Sequence, residues 1–394
     1  MPFKLRSCAV LILALAILPM RPASTVGPVR SLPWLHEGLM LTYAWDATHG
    51  PGSGSDYSEN ANGQWIDKSG KPYAATPPYR TSGSGWNEIT VACIDGDRVV
   101  LSPNSFTNAG ELANNDETPP NRRSFVAQLN DPGDYWMDPA ELAAIRTDAA
   151  KRIVVMRGPW TTGGYTTDTI RVQVTKPQFY SDKVYDAKTG LCIHWAYSFG
   201  GMAPLNIAAV GSGRMNSTLK HGDLVGTRDL TIPWANDAMP DWTSDVRSIE
   251  YQGSSVSRAS KLILPVTTTI DMTTAERGDG WIAMKTKSVS EGAGPEVGIG
   301  EDKFASGRSQ FGGMWIGTAS IGLLLRGYVL DYDPITKMKT SVTQADEKSV
   351  TISAINAAGE SDWQYDTKTG MLIRAEFYDA LSKQQMTMQM LSHK

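Results

Sequence analysis

The chain has 394 residues, 41% of them hydrophobic, and a formal net charge of −4 from 37 basic and 41 acidic side chains. This mild charge, with no basic block in the sequence, argues against electrostatic attraction to nucleic acid or to anionic lipid, and nucleic acid is not expected as a partner. The length is sufficient for one large domain or two ordinary ones, and either could bury a sizeable core.

The first thirty residues have the pattern of a secretory signal peptide. Lys4 and Arg6 precede an apolar run from Cys8 to Leu18, and a small-residue stretch at 22–25 follows. The run is shorter than the about 20 residues that a membrane-spanning helix needs, and no later segment is apolar for that length. We therefore predict that residues 1–30 are a signal peptide and N-terminal tail. The mature protein is expected to be periplasmic or extracellular and not membrane-spanning. No lipid anchor is expected, because Cys8 lies at the start of the apolar run and not at its end next to a small residue.

A strand is predicted at Gly38–Trp45, and a long polar segment follows it from Ala47 to Ser84. This segment is rich in Gly, Ser, Asn and Pro and carries Tyr57, Trp65 and Tyr79. A loop of this length without secondary structure is usually functional or disordered, and spaced aromatic rings could stack on a sugar or cover an apolar ligand. The alternative is a surface loop that its own aromatic residues hold in place.

Two cysteines remain once the signal peptide is removed, Cys93 and Cys192, and each lies in a strand-like run. Disulfides persist in exported proteins, so we predict one bridge between these two residues. The alternative of a reactive or metal-bound thiol lacks support, since no Cys-x-x-Cys or Cys/His cluster accompanies either residue.

Long connections precede the two predicted helices, at Pro103–Asp134 and at Glu291–Gly313. Each carries an arginine near a phenylalanine, with Arg123 in the first and Arg308 in the second. At the rim of a groove, these guanidinium groups would suit a carboxylate or phosphate of a ligand. The alternative is a solvated arginine in a flexible loop.

Helix signals are few. The clearest is Trp136–Ala150, where Asp138 and Pro139 supply a cap and a first-turn residue. A counterpart is predicted at Trp315–Arg326, with apolar residues at the same positions.

The other elements are predicted strands, many of them bounded by Gly, Pro, Asn or Asp as antiparallel connections require. They are Glu88–Ile94, Arg98–Leu101, Ile153–Met156, Thr169–Val174, Val246–Tyr251, Trp281–Thr286, Tyr328–Tyr332, Lys339–Thr343, Ser349–Ile355 and Gln384–Leu391.

An internal repeat organises these elements. The segment Ser181–Ile193 returns as Ser361–Ile373 with eight of thirteen positions identical, and Trp136–Ile145 matches Trp315–Leu324. The shared Tyr-Asp-x-Lys-Thr-Gly sequence predicts a β-hairpin, because Asp can cap the turn and Gly can adopt a positive φ.

Weaker matches extend the repeat towards the start of the chain. Leu32–Trp34 resembles Ile232–Trp234, and Gly85-Trp86 resembles Gly280-Trp281. The tryptophans at matched positions are expected in the core, whereas Trp45, Trp65, Trp160, Trp195, Trp242 and Trp363 have no match and could face a ligand.

The predicted fold is therefore mainly β (α+β), with two tandem copies of an antiparallel sheet unit that each carry one helix. We place the first copy at 31–225 and the second at 226–394. The units could pack around a groove or form one continuous sheet, and the sequence leaves both open.

Catalytic signals are sparse. The sequence lacks the His-rich metal motifs and the serine nucleophile motifs of known enzyme classes, and it predicts no cofactor. Paired carboxylates can hydrolyse glycosides when they face each other at about 5–10 Å. Asp331, Asp333 and Asp97 are the weak candidates, and ordinary turns are the alternative for all three.

These observations favour an exported, non-catalytic binding or scaffold protein for an apolar, aromatic or sugar ligand, either a small molecule or a glycan. The alternative is an exported hydrolase that uses carboxylates on a glycoside or ester, so whether the protein is an enzyme stays open. A subunit of a surface assembly is a third possibility, and the oligomeric state is not predicted.

Overall fold

The structure is a computed structural model that describes residues 32–49, 57–59, 65–67, 71, 82–107, 124–133, 135–162, 165–176, 179–199, 218–257, 266–291, 298–380 and 383–394. The predicted signal peptide lies outside the described residues, as do Tyr79 and Arg123.

The first half of the chain forms a nine-stranded antiparallel sheet and a separate small hairpin. Its strands are β1 (Leu39–His49), β2 (Tyr57–Glu59), β3 (Trp65–Asp67), β4 (Ser82–Asp95), β5 (Arg98–Thr107), β6 (Phe125–Gln128), β7 (Ile153–Thr162), β8 (Tyr165–Lys176), β9 (Phe179–Asp186), β10 (Cys192–Phe199) and β11 (Thr218–Asp229). The order in the sheet is β6-β5-β4-β1-β11-β10-β9-β8-β7, and β2 pairs only with β3.

The second half forms a ten-stranded antiparallel sheet, and nine of its strands follow the order of the first sheet. Its strands are β12 (Ser248–Ser257), β13 (Val266–Gly278), β14 (Trp281–Glu291), β15 (Gly298–Gly307), β16 (Val329–Tyr332), β17 (Lys339–Ala345), β18 (Ser349–Asn356), β19 (Gly359–Asp366), β20 (Leu372–Asp379) and β21 (Gln384–His393). The order β15-β14-β13-β12-β21-β20-β19-β18-β17 repeats that of the first sheet, and β16 is added at one edge. The prediction of two tandem antiparallel sheet units is confirmed.

The same irregularity recurs in both sheets. A bulge falls between Thr42 and Tyr43 where β1 pairs with β11, and another falls between Glu250 and Tyr251 where β12 pairs with β21. The Tyr43 hydroxyl donates a hydrogen bond to the Cys192 carbonyl at 2.8 Å. A bulge changes the direction of a side chain locally. Because the same bulge occurs in both sheets, Tyr43 and Tyr251 are equivalent positions of the repeat.

That register corrects the weaker sequence matches. The Trp34 ring N–H donates to the Thr189 carbonyl at 2.9 Å, and the Trp242 ring N–H donates to the equivalent Thr369 carbonyl at 2.8 Å. Trp34 therefore corresponds to Trp242, and the match with Trp234 is wrong because a Pro-Trp pair alone does not fix a register. The match of Trp86 with Trp281 is wrong too, since Trp86 lies on β4 and Trp281 lies on β14, the counterpart of β5.

The best-matched block forms the turn that its sequence predicts. Asp186 Oδ1 accepts hydrogen bonds from the backbone N–H groups of Lys188 and Thr189, and Asp366 does the same in the second copy. Gly190 has φ of +74° and lies so close to the Met137 carbonyl that a Cβ atom would collide with it. Only glycine satisfies both constraints, which explains its place in the repeat.

The helices are shorter than predicted. Helix α1 covers Pro139–Ala144, and Asp138 caps it by accepting from the Ala140 N–H at 2.7 Å. The prediction to Ala150 is wrong because Ile145 is extended, with ψ of 136°. The second unit has α2 (Trp242–Asp245) and α3 (Thr318–Ile321) in place of one long helix. Among the described residues, none of the helices is long and apolar enough to cross a membrane.

Each unit buries its own core. Trp136 is fully buried in the first and packs edge-on against Trp34, with ring centroids 5.7 Å apart. Trp45 and Trp195 belong to the same core, so the prediction that they face a ligand is wrong. Gly222 makes room for the Trp195 ring, which explains how so large a side chain fits between the strands.

A further apolar cluster joins the units. It contains Ala92, Cys93, Val100, Trp281, Ala283 and Ala305. The Trp281 ring N–H donates to Asp95 Oδ2 at 2.9 Å, and the Ser309 N–H donates to the Ala92 carbonyl at 2.8 Å. We call this contact, where β4 and β5 meet β14 and β15, the junction.

The disulfide prediction is wrong. Cys93 and Cys192 are both buried thiols that are not bonded to each other. Cys93 lies in the junction and its thiol donates to the Asp279 carbonyl at 3.2 Å, whereas Cys192 lies in the first core and donates to the His194 carbonyl. Because β1 and β11 separate β4 from β10, the two residues are about three strand spacings apart in the sheet, beyond the reach of a disulfide.

Candidate functional site

The structure brings Asp331 and Asp333 together on one arginine. Arg228 Nη1 donates to Asp331 Oδ1 at 2.6 Å, Nη2 donates to Asp331 Oδ2 at 2.7 Å, and Nε donates to Asp333 Oδ2 at 3.2 Å. Asp333 Oδ1 accepts from the backbone N–H groups of Ile335 and Thr336. Asp333 is fully buried, and this geometry is that of a turn tied to the first unit.

Glu88 is a further member of this cluster, and sequence reasoning missed it. Its carboxyl group accepts from the Thr336 hydroxyl at 2.9 Å and from the Asn104 side-chain amide at 3.4 Å. Burial raises the pKa of Glu88 to about 7, and the Asp333 charge adds to this effect while Arg228 opposes it. A single acidic residue in a strand gives no sequence signal for a partner 248 residues away.

Arg308 also has a partner within the chain. Its Nε donates to Glu37 Oε2 at 2.8 Å, and its role in binding a ligand at the rim of a groove stays a prediction. Partial burial works against the charged form of Glu37, but hydrogen bonds from Arg308 and the Ile94 N–H outweigh it and lower the pKa. Strand β15 (Gly298–Gly307) lies within the connection Glu291–Gly313, so the interpretation of those residues as a loop is wrong.

Asp97 lies in the hairpin turn between β4 and β5, next to Gly96 with φ of +59°. Its side chain is about half exposed, and its nearest cation is Arg98 at 3.9 Å. Nothing in the described residues places it beside Asp331 or Asp333, and its catalytic role stays a prediction.

The segment from Ala47 to Ser84 was predicted to be a loop without secondary structure, and this prediction is wrong. Its ends extend β1 and β4, and Tyr57 and Trp65 lie on the hairpin of β2 and β3. Their roles in ligand binding stay predictions.

A pair of equivalent aspartates has different chemical surroundings in the two units. In the first unit, Asp182 is fully buried and binds Arg171, whose Nε donates to Asp182 Oδ1 at 2.8 Å. Gln173 and the Tyr180 hydroxyl also donate to Asp182, each at 3.2 Å. The Arg171 guanidinium stacks over the Trp160 ring at 5.5 Å. The carboxylate of this unit is thus neutralised and enclosed.

The corresponding positions in the second unit lack the arginine. Arg171 pairs with Val184 between β8 and β9, as Thr351 pairs with Gln364 between β18 and β19, so Thr351 takes the place of Arg171. By the same register, Asp362 corresponds to Asp182. Asp362 accepts a hydrogen bond from the Ser353 hydroxyl. Strand β18, which carries Ser353 and Thr351, contains no arginine.

An open cavity of about 300 Å³ lies at Asp362. We call it the acidic pocket, and it is lined by Glu360, Asp362, Glu376, Phe377, Tyr378 and Gln385. Burial raises the pKa of Glu360, and the charges of Asp362 and Glu376 raise it further. Arg374 pairs with Glu376, so three carboxylates share one cation. Such a pocket can bind a cation that carries hydrogen-bond donors.

No family model matches the chain, and no curated protein matches its sequence. Among solved structures, the chain aligns with a protein of unknown function from the DUF3598 family of Nostoc punctiforme, at 9% identity over 89% of this chain and 95% of that one, with a TM-score of 0.13. It also aligns with intact Ap-TbpB, which has N and C lobes, at 9% identity over 90% of this chain and 77% of that one, with a TM-score of 0.10. At these TM-scores neither likeness carries an argument about this chain.

Proposed function

We propose that the protein is an exported, non-catalytic binding protein that holds a small organic cation in the acidic pocket of its second unit. The sequence favours binding over catalysis and an apolar, aromatic or sugar ligand. The pocket narrows this to a ligand with a cationic, hydrogen-bond-donating group on an apolar or aromatic frame.

The proposal rests on the comparison of Asp182 with Asp362. In the first unit the guanidinium of Arg171 is bonded to this carboxylate. In the second unit Thr351 stands at the arginine's position, and Asp362 lines an open cavity. The contact between Arg171 and Asp182 therefore indicates which kind of ligand would suit Asp362. Such a ligand is a planar cation that donates hydrogen bonds to a carboxylate beside an aromatic ring.

The electrostatics of the pocket support a charged ligand over a neutral one. Glu360, Asp362 and Glu376 repel one another, as the raised pKa of Glu360 reflects. A cation relieves this repulsion on binding, whereas a neutral sugar does not. The volume of about 300 Å³ lies at the lower end of the usual range for small-molecule sites.

The candidate acids of the hydrolase alternative have other partners, which also favours binding. Asp331 and Asp333 are held by Arg228, and Asp333 in addition by two backbone N–H groups. A carboxylate with its lone pairs committed in this way is poorly placed to accept a proton from water or substrate. The hydrolase hypothesis would gain support from turnover of a glycan or ester that is lost in D333N.

Calorimetric titration with benzamidine, and with benzamide as its neutral isostere, tests the proposal. We expect benzamidine to bind and benzamide to bind at least about tenfold more weakly, because only the amidinium can pair with the carboxylates. D362N should weaken benzamidine binding by about tenfold, while D302N, a change at an exposed carboxylate of β15, should leave it unchanged. Equal binding of the two probes, or no binding of either, would contradict the proposal.

A further inference from the structure

Large apolar side chains are exposed along one short stretch of the second unit. Leu323 and Leu325 are 75% and 70% exposed, Tyr328 is 54% exposed, and Val329 and Tyr332 are 47% and 53% exposed. We call these five residues the apolar ridge. Single exposed apolar residues are ordinary on protein surfaces, but a contiguous set indicates an interaction surface.

The ridge is held in place by its neighbours. Leu324 and Leu330 are buried in the core of the second unit, between the exposed residues. The Tyr328 N–H donates to the Leu325 carbonyl at 3.0 Å, and the Val342 N–H donates to the Tyr328 carbonyl at 2.9 Å. The exposed side chains therefore project from a turn and an edge strand that are fixed to the core.

The fold itself does not require apolar residues here. Leu324 corresponds to Ile145 in the first unit, so Leu323 corresponds to Ala144, Leu325 to Arg146 and Tyr328 to Ala149. The first unit thus has small or charged residues at these three exposed positions, and the partly buried Ile145 stays apolar. An apolar exposed set in one copy alone is best explained by a contact that this copy makes.

The charges around the ridge select the partner. Arg326, Lys337, Lys339 and Lys348 are exposed between 322 and 348, against the exposed carboxylates of Asp346 and Glu347, while Asp331 and Asp333 are both bound to Arg228. The uncompensated charge of this surface is therefore positive, although the whole chain carries −4. An apolar surface flanked by cations and tyrosine matches the interface of an anionic lipid bilayer.

We propose that the apolar ridge docks the protein on an anionic membrane surface, with Leu323 and Leu325 entering the interface and Arg326 and Lys339 contacting headgroups. The contact is peripheral, because the ridge is a turn and a short edge strand. It is independent of the acidic pocket and does not rest on the proposed function.

Co-sedimentation with vesicles tests this inference. Vesicles that contain about one quarter phosphatidylglycerol in phosphatidylcholine are compared with pure phosphatidylcholine. We expect binding to the anionic vesicles, a loss of about tenfold or more in L323S/L325S, and a further salt-sensitive loss in R326Q/K339Q. L391S is the matched control, because Leu391 is 52% exposed on β21, outside the ridge.

All these positions are exposed, so the variants should keep the melting temperature of the parent, and binding can be compared on folded protein. The inference is overturned if the full chain does not bind anionic vesicles, if it binds both kinds equally, or if L391S loses as much binding as L323S/L325S. It is also overturned if light scattering shows a dimer that L323S/L325S dissociates, since a second copy would then cover the ridge.

Discussion

The Thr336 hydroxyl donates a hydrogen bond to the Glu88 carboxyl group at 2.9 Å, and this contact joins the second unit to the first. Around it, Arg228 from strand β11 of the first sheet holds Asp331 and Asp333 of the second half. The two sheets are thus linked by a buried polar cluster in addition to the apolar contacts of the junction. Buried polar clusters of this kind depend on complete pairing, which makes their loss measurable.

The cluster should make stability depend on pH through Glu88. Its pKa in the folded protein is about 7, against an ordinary 4.5, so folding takes up a proton between these values. The stabilisation is complete below about pH 4.5 and is lost as the pH rises through about 7. We expect the free energy of unfolding to fall by about 2–3 kcal/mol over this interval, as urea unfolding at stepped pH would measure.

The matched variant is E88Q, which keeps the hydrogen-bonding shape without the charge. It should flatten that pH dependence, whereas E37Q should not, because the pKa of Glu37 is lowered and lies below the interval. The charged groups that face Glu88 are Asp333, which raises its pKa further, and Arg228, which opposes the rise. An E88Q protein with the same pH slope as the parent would contradict this prediction.

Removing Arg228 should be costly. R228M leaves Asp333 buried without its cation and Asp331 without its bidentate partner, and unpairing a buried ion pair costs about 3–5 kcal/mol. The loss should appear as a lower urea midpoint with an unchanged slope. R146M is a suitable control, because the exposed Arg146 only bonds nearby carbonyls, and it should cost under about 0.5 kcal/mol. A cost for R228M similar to that of R146M would show that the cluster is not coupled to folding.

The two thiols should be unreactive in the folded protein. Burial raises the pKa of Cys93, with the Glu37 charge adding to the effect, so the thiolate that reacts with disulfide reagents is scarce. We expect a thiol reagent to label neither cysteine at neutral pH and to label both after unfolding in guanidinium without reductant. A protein that stays unlabelled after unfolding until reductant is added would contain the disulfide that the structure excludes.

The sequence predicted the repeated unit well because the repeat is built from local physics. Asp186 and Gly190 form their turn through contacts a few residues apart, and the same residues in the second copy do the same. Strand alternation and turn residues therefore identified most of the sheet. Helix α1 began where Asp138 predicted and ended early, because the extended Ile145 is a tertiary outcome.

The candidate site could not be predicted in this way. The partners of Asp333 and Arg308 lie 105 and 271 residues away, so only the packing of the two units reveals that they are occupied. A bulge had a similar effect, since the register shift between Cys192 and His194 leaves both residues buried together with Ile193 and Trp195, which simple strand alternation does not predict. Asp362 was visible in the repeat, but its difference from Asp182 depends on Thr351, which lies outside the matched block.

The most direct test of the cation-binding account is therefore to give the second unit the arginine that the first one has. In T351R, the new guanidinium should reach Asp362 as Arg171 reaches Asp182, and calorimetric titration with benzamidine should show a loss of affinity of about tenfold or more relative to the parent. T351Q, of similar length and no charge, should retain most of the binding. If T351R is folded and binds benzamidine as tightly as the parent, Asp362 is not the centre of a cation site and the proposed function is wrong.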